Sequence, residues 1–133
     1  MTNPYDLYTT DPNIESGEGL KIEYPGFEIV IYRAGGSNEA YSKTFSDKSR
    51  AYITHGGTPT TDEAERIILE TYAETIVKGW SNLTDKEGKP LPFSVDNCKQ
   101  LLSDLPELFA SIKKHANDFG NFRKIKEEAE IKN

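Results

Sequence analysis

Residues 19–34, GLKIEYPGFEIVIYRA, decide the fold. Apolar side chains alternate with other residues at positions 20, 22 and 24, and again at positions 27, 29 and 31. This period of two, together with the β-branched content, predicts two strands. Pro25-Gly26 between them suits a type II turn, so the segment is a β-hairpin. A single hairpin is only marginally stable in water, so we expect one of its faces to pack on helices.

Helical periodicity follows the hairpin. It predicts helices over residues 38–53, 61–80, 95–103 and 105–119. The strongest is 61–80, where apolar residues recur every four positions up to Trp80 and where Thr60 and Glu63 have the spacing of a capping box. We take Trp80, Phe93, Leu102 and Phe109 as core residues. The expected class is α+β, mainly α, with an N-terminal β-hairpin packed on four or so helices.

The 133 residues, with a mass of 14.9 kDa, indicate a single domain. We place one globular domain at residues 19–122. Residues 1–18 contain Pro4, Pro12 and Gly17, which indicate an irregular N-terminal arm. Residues 123–133 form a charged C-terminal tail.

Composition and charge exclude several classes of protein. The mean hydropathy is −0.66 and the net charge is −6, and residues 1–28 hold six acids against one base. This balance argues against a nucleic-acid binder, which needs a basic surface. No apolar run is long enough to span a bilayer and no secretory signal is visible, so we expect no membrane association and a cytoplasmic location.

No catalytic, metal-binding or cofactor-binding constellation can be identified, and we expect no enzyme activity and no cofactor. Cys98 lies on the inward face of a predicted helix, where a small buried hydrophobe is the usual role. His55 and His115 are far apart in sequence and are interpreted as surface residues.

The turn Gly35-Gly36-Ser37, with Arg33 beside it, precedes a predicted helix and could hold an anion on free N–H groups. The P-loop lysine and the glycine spacing of dinucleotide-binding loops are both missing. A plain turn between strand and helix is therefore the favoured interpretation.

Several stretches of the chain resemble the tail assembly chaperones of long-tailed bacteriophages. The shared stretches are NPYDLY at 3–8, FEI at 27–29 with RAGGSN at 33–38, ETYAE at 70–74 with GW at 79–80, LTD at 83–85, GKPLPFS at 88–94, LL at 101–102, LPELF at 105–109 and NFR at 121–123. The resemblance covers about residues 3–123, and their order and spacing carry it rather than any one motif.

The resemblance implies a non-enzymatic role. Such chaperones coat the long, helical tape measure protein, keep it soluble and help to bring the major tail protein to it as the tail tube assembles. It also implies action in the host cytoplasm and absence from the mature virion. Many members have a longer form made by ribosomal frameshifting, which the protein sequence does not reveal. Self-association remains open.

Partner binding needs exposed apolar side chains. The candidates are Tyr5 and Tyr8 in the arm and Phe119, Phe122 and Ile125 near the C-terminus. The alternative is that these residues close the core of the domain itself. Two other functions also remain open: a structural virion protein of the tail or head–tail region and, less favoured, a phage-encoded inhibitor of a host protein.

Overall fold

The computed structural model describes residues 3–54 and 57–124, with no side-chain description for residues 52–54. In this part of the chain the elements are α1 (Pro4–Tyr8), α2 (Pro12–Ser16), β1 (Leu20–Tyr24), β2 (Phe27–Ile31), α3 (Glu39–Thr54), α4 (Thr61–Thr75), β3 (Val77–Ser81), α5 (Val95–Asp104), α6 (Pro106–Asn117) and a 3-10 helix (Phe119–Phe122). The predicted class, α+β and mainly helical, is confirmed.

The hairpin lies where the alternation predicts it, but it belongs to a larger sheet. β1 and β2 pair antiparallel with Ile22 opposite Ile29, and Gly26 in the turn has φ 88°, which a type II turn requires. A third strand, β3, pairs antiparallel with the other edge of β2, so the strand order is β1-β2-β3. The core face of the sheet carries Ile22, Ile29 and Ile31, all buried.

The predicted helix 61–80 is wrong at its C-terminal end. α4 begins at Thr61 behind the predicted capping box, but it ends at Thr75, and Val77–Ser81 is strand β3. Trp80 therefore lies in a strand opposite Ile29. The apolar spacing of four residues continues across the break, but Gly79 disfavours a helix and the β-branched Ile76 and Val77 suit an extended chain that completes the sheet.

One continuous core joins the sheet to the helices. Leu102 of α5 and Phe109 of α6 are buried as predicted, and so is Cys98. Trp80 is half-buried against this core. Phe93 is exposed instead, because it lies in the loop before α5. One side of its ring packs edge-on against Trp80, with 4.9 Å between the ring centres.

The arm is not irregular. Two five-residue helices occupy it, and each starts with the same local design. The side chains of Asn3 and Asp11 cap the first turns of the two helices, and Pro4 and Pro12 follow directly. Proline fits the first turn of a helix because its missing N–H has no intrahelical partner there. The predicted loop signals are therefore helix starts.

Candidate functional site

Exposed aromatic side chains cluster where the arm meets the C-terminal end of the described chain. Tyr5 is 80% exposed and Tyr8 is 69% exposed, and Leu7 between them is also exposed. The Tyr8 ring lies 5.6 Å from the ring of the half-buried Phe119. We call the three aromatic residues, Tyr5, Tyr8 and Phe119, the arm surface.

Helix α1 sets the direction of the two tyrosines. Asn3 accepts a hydrogen bond from the Tyr5 backbone N–H at 2.9 Å, and the Thr9 hydroxyl donates to the Tyr5 carbonyl at the other end. Residues three apart lie on the same face of a helix, so Tyr5 and Tyr8 point the same way. Hydrogen bonds at the ends of α1 therefore orient the two tyrosines, and no residue of this helix is buried.

Backbone pairing holds the arm against the end of the described chain. The Asp11 N–H donates to the Phe122 carbonyl at 2.8 Å, and the Lys124 N–H donates to the Thr9 carbonyl at 2.8 Å. The two segments lie antiparallel, as in a short sheet ladder. This pairing brings Tyr8 next to Phe119.

A buried carboxylate anchors the second arm helix. Glu15 is 2% exposed; its Oε2 accepts from Arg33 Nη1 at 2.5 Å and its Oε1 from the Ser37 N–H at 3.3 Å. A Cβ on Gly36 would overlap the carboxylate, so only glycine fits at this close approach. The Ser16 and Ser37 hydroxyls are also hydrogen-bonded, at 2.8 Å. We call Arg33, Gly36 and Ser37 the carboxylate cradle.

The carboxylate cradle contains the turn that the sequence suggested as an anion-binding site. The anion that it binds is the Glu15 carboxylate of the same chain. The Arg33 guanidinium that pairs with Glu15 also lies 5.9 Å from the ring centre of Phe119 and 5.8 Å from that of Phe122. One cation therefore joins the arm to the 3-10 helix. Burial alone raises the pKa of Glu15, but the hydrogen bonds from Arg33 and Ser37 outweigh it and hold the pKa below its ordinary value.

The predicted partner-binding residues have different positions in the structure. Tyr5 and Tyr8 are exposed, and Phe119 is half-buried beside Tyr8. Phe122 is fully buried, so it closes the protein's own core and is removed from the candidate surface. Ile125 lies outside the described residues.

Sequence reasoning missed Glu15 as an anchor. A carboxylate in an acidic arm resembles an ordinary surface group, and its partner Arg33 is 18 positions away. The signal that was available is the turn itself, Gly35-Gly36-Ser37, which offers an N–H group to an anion. What could not be read was that the anion belongs to the same chain.

A second charged cluster joins three helices on another face. Lys48 of α3 lies 2.9 Å from a carboxylate oxygen of Glu74 in α4, and Lys99 of α5 lies 3.4 Å from the same oxygen. Burial raises the pKa of Glu74, but the two lysines outweigh it and lower the pKa. These ion pairs hold α3, α4 and α5 together, and the Glu74 carboxylate is engaged by both lysines.

The remaining candidates for chemistry are the Cys98 thiol and the possible metal-ligating side chains. Burial raises the pKa of the Cys98 thiol to about 12, so it stays protonated near neutral pH. Among residues 3–54 and 57–124, no group of three His, Cys, Asp or Glu side chains is placed to hold a metal ion. The same residues contain no helix with the length and apolar character needed to cross a bilayer.

Comparison with known protein families gives a match over most of the chain. Residues 36–133, more than half of the chain, match the model of a family described as YdaY prophage protein. No curated protein and no solved structure matches the chain. The matched range begins inside the carboxylate cradle, so it contains Phe119 but neither the arm nor the hairpin.

Proposed function

The chain belongs to the YdaY prophage protein family, and from this premise we propose that it is a tail assembly chaperone. In this role it binds the tape measure protein, keeps it soluble and promotes assembly of the tail tube from the major tail protein. It works without catalysis in the host cytoplasm and is absent from the mature virion. The phage origin of the family supports this proposal, as does the sequence resemblance to tail assembly chaperones.

The observation that carries the proposal is the arm surface. Two tyrosines more than two-thirds exposed on one face of α1, with the half-buried Phe119 beside Tyr8, form an aromatic patch on a chain in which 29% of the residues are charged. Clustered exposed aromatics on a soluble protein mark interaction sites. Tyrosine suits such a site because it offers a large apolar ring at low cost in conformational entropy.

The shape of this patch fits a helical client. An apolar helix presents side chains at intervals of three and four residues, and such a stripe can lie against a small aromatic patch in several registers. Each contact is small and therefore weak. Many copies along one long client would act together through multivalency, while their negative charge keeps the complex soluble.

The test is co-expression with the tape measure protein encoded by the same phage. A variant carrying Tyr5→Ser and Tyr8→Ser removes the exposed rings without touching the core. The matched control is Phe45→Ser, which removes an aromatic side chain that is 38% exposed on α3, away from the arm. We expect the wild-type chain and F45S to solubilise and co-purify with the client, and Y5S/Y8S to lose both.

Two results would overturn the proposal. If the wild-type chain neither solubilises nor binds the tape measure protein, the chaperone role is wrong. If mass spectrometry of purified particles finds the chain in abundance, the alternative of a structural virion protein replaces it. Equal client capture by Y5S/Y8S and F45S would retain the role but refute the arm surface as its site.

A further inference from the structure

Strand β1 has a free edge. It pairs with β2 on one side only, since the strand order is β1-β2-β3, and no other described strand lies beside it. Its five residues, LKIEY, pair with β2 without a register shift. A regular strand with one unpaired edge is a template for another strand.

The turn determines which backbone groups face this edge. Antiparallel pairs alternate between bonded and non-bonded, and the pair that flanks a two-residue turn is bonded. Here that pair is Tyr24 with Phe27, so Ile22 and Leu20 also bond to β2. The N–H and C=O groups of Lys21 and Glu23 therefore point outward, and they make no other backbone hydrogen bond within the described residues.

On the exposed face of the sheet beside this edge, two carboxylates, Glu23 and Glu28, lie near one cation, Lys21. Glu23 lies directly opposite Glu28 on the exposed face of the sheet, and a like-charge pair in that position is unfavourable. Lys21 lies 3.5 Å from the Glu28 carboxylate. Among the described residues no cation lies within ion-pair distance of Glu23.

We propose that β1 pairs with the β1 strand of a second copy of this chain, antiparallel and centred on Ile22. In this register Lys21 of each copy lies opposite Glu23 of the other, and their outward N–H and C=O groups form two bonded pairs. The dimer is two-fold symmetric and its sheet has six strands. Each Glu23 gains a cation opposite it, which none of the described residues of the single chain supplies.

The apolar residues of β1 support the same register. Leu20 of one copy faces Tyr24 of the other on the helix-covered side, where both side chains are half-buried. The Tyr24 hydroxyl is hydrogen-bonded to Ser111 of α6 at 2.8 Å, which holds the turn end of β1 in place. Charged edges normally prevent pairing, but the alternation of Lys21 and Glu23 makes a self-pairing complementary.

The opposite edge of the sheet is less suited to this pairing. The pairing of β3 with β2 shifts register between Val30 and Ile31, so the strand is irregular there. The Trp80 indole N–H donates to the Leu91 carbonyl at 2.8 Å and ties the following loop to β3. The self-pairing is therefore assigned to β1.

Charge-reversal variants of the full chain test the pairing by analytical ultracentrifugation over a range of concentrations. K21E places Glu opposite Glu23, and E23K places Lys opposite Lys21, so each variant alone should self-associate about tenfold to a hundredfold more weakly than wild type. An equimolar mixture of K21E and E23K restores both opposite-charge pairs and should form heterodimers. E23K also turns the Glu23–Glu28 repulsion into an attraction, so loss of its dimer cannot be due to a damaged hairpin.

A backbone variant adds an independent measurement. Glu23→Pro removes an outward N–H that β2 does not use, so it should abolish self-association while the circular dichroism of the fold is kept. A wild-type chain that stays monomeric at all concentrations overturns the proposal, as does a dimer that none of the variants weakens. If K21E and E23K each lose the dimer but their mixture does not regain it, the proposed register is wrong. None of these measurements needs the client, so their failure is separate from failure of the chaperone role.

Discussion

Replacing Glu15 by Gln keeps the shape of the side chain and removes its charge. Arg33 Nη1 and the Ser37 N–H donate to the two oxygens of the carboxylate, and the Ser37 and Thr10 hydroxyls also stabilise its charged form. A glutamine offers one oxygen and one NH₂ group, so it cannot accept from both Arg33 Nη1 and the Ser37 N–H through separate oxygens as the carboxylate does. The variant therefore loses a charge-assisted hydrogen bond and leaves the Arg33 guanidinium without its anion.

The expected cost follows from the burial of the pair. The Glu15 side chain is 2% exposed and that of Arg33 is 24% exposed, so water compensates only in part. A hydrogen bond to a charged group contributes about 1.5–3 kcal/mol, and breaking a buried ion pair costs somewhat more. We expect the free energy that holds the arm down to fall by about 2–3 kcal/mol, which corresponds to about 30- to 150-fold more frequent opening.

Amide hydrogen exchange measures this opening at two reporter groups. The N–H groups of Asp11 and Lys124 make the hydrogen bonds that join the arm to the end of the described chain. In E15Q both should exchange faster by the factor given above, while the core amides of β2 keep their protection.

The matched control is Glu18→Gln, which removes the same charge from an exposed residue of the same segment. E18Q should exchange like the wild-type chain. If the Asp11 and Lys124 amides exchange no faster in E15Q than in E18Q, the carboxylate cradle does not anchor the arm.

Three further predictions concern the same protein. The pKa of Glu15 lies below its ordinary value of 4.5, so its contribution should be complete above that pH and be lost as the pH falls through the lowered pKa. Over this range the protection of the two reporter amides, measured relative to the intrinsic exchange rate at each pH, should fall in wild type but not in E15Q. Gly36→Ala should lower the free energy of unfolding, measured by urea titration, by about 2–4 kcal/mol, because it adds a Cβ at φ 56° against the Glu15 carboxylate. The control is Gly26→Ala, at φ 88° with open space around it, which should cost only about 1–2 kcal/mol. Thr60→Ala removes the acceptor of the Glu63 N–H and should cost about 1 kcal/mol in the same urea titration; an unchanged midpoint would show that the capping box does not stabilise α4.

The hairpin could be predicted because its signals are local. Alternation and the Pro25-Gly26 turn act within a few residues, and the structure follows them closely. Strand β3 could not be predicted in this way. Val77–Ser81 continues the helical spacing of α4, and it becomes a strand because β2 offers an edge to it. That edge is visible only once the sheet exists.

The candidate site shows the same division. The starts of both arm helices have a local sequence signal, a capping residue followed by proline, in Asn3-Pro4 and Asp11-Pro12. This signal predicts a helix start. The burial of Glu15 and Phe122 depends on contacts between segments far apart in sequence. No spacing rule predicts such contacts.

The pairing of Thr9 with Lys124 spans almost the whole described chain. Contacts of such long sequence separation form late, because closing a large loop costs chain entropy before the contact repays it. During synthesis the arm is made well before residues 119–124, the segment that holds it. The arm surface is therefore completed only once residues 119–124 have been made, and until then the emerging chain carries Tyr5 and Tyr8 without the contact to Phe119.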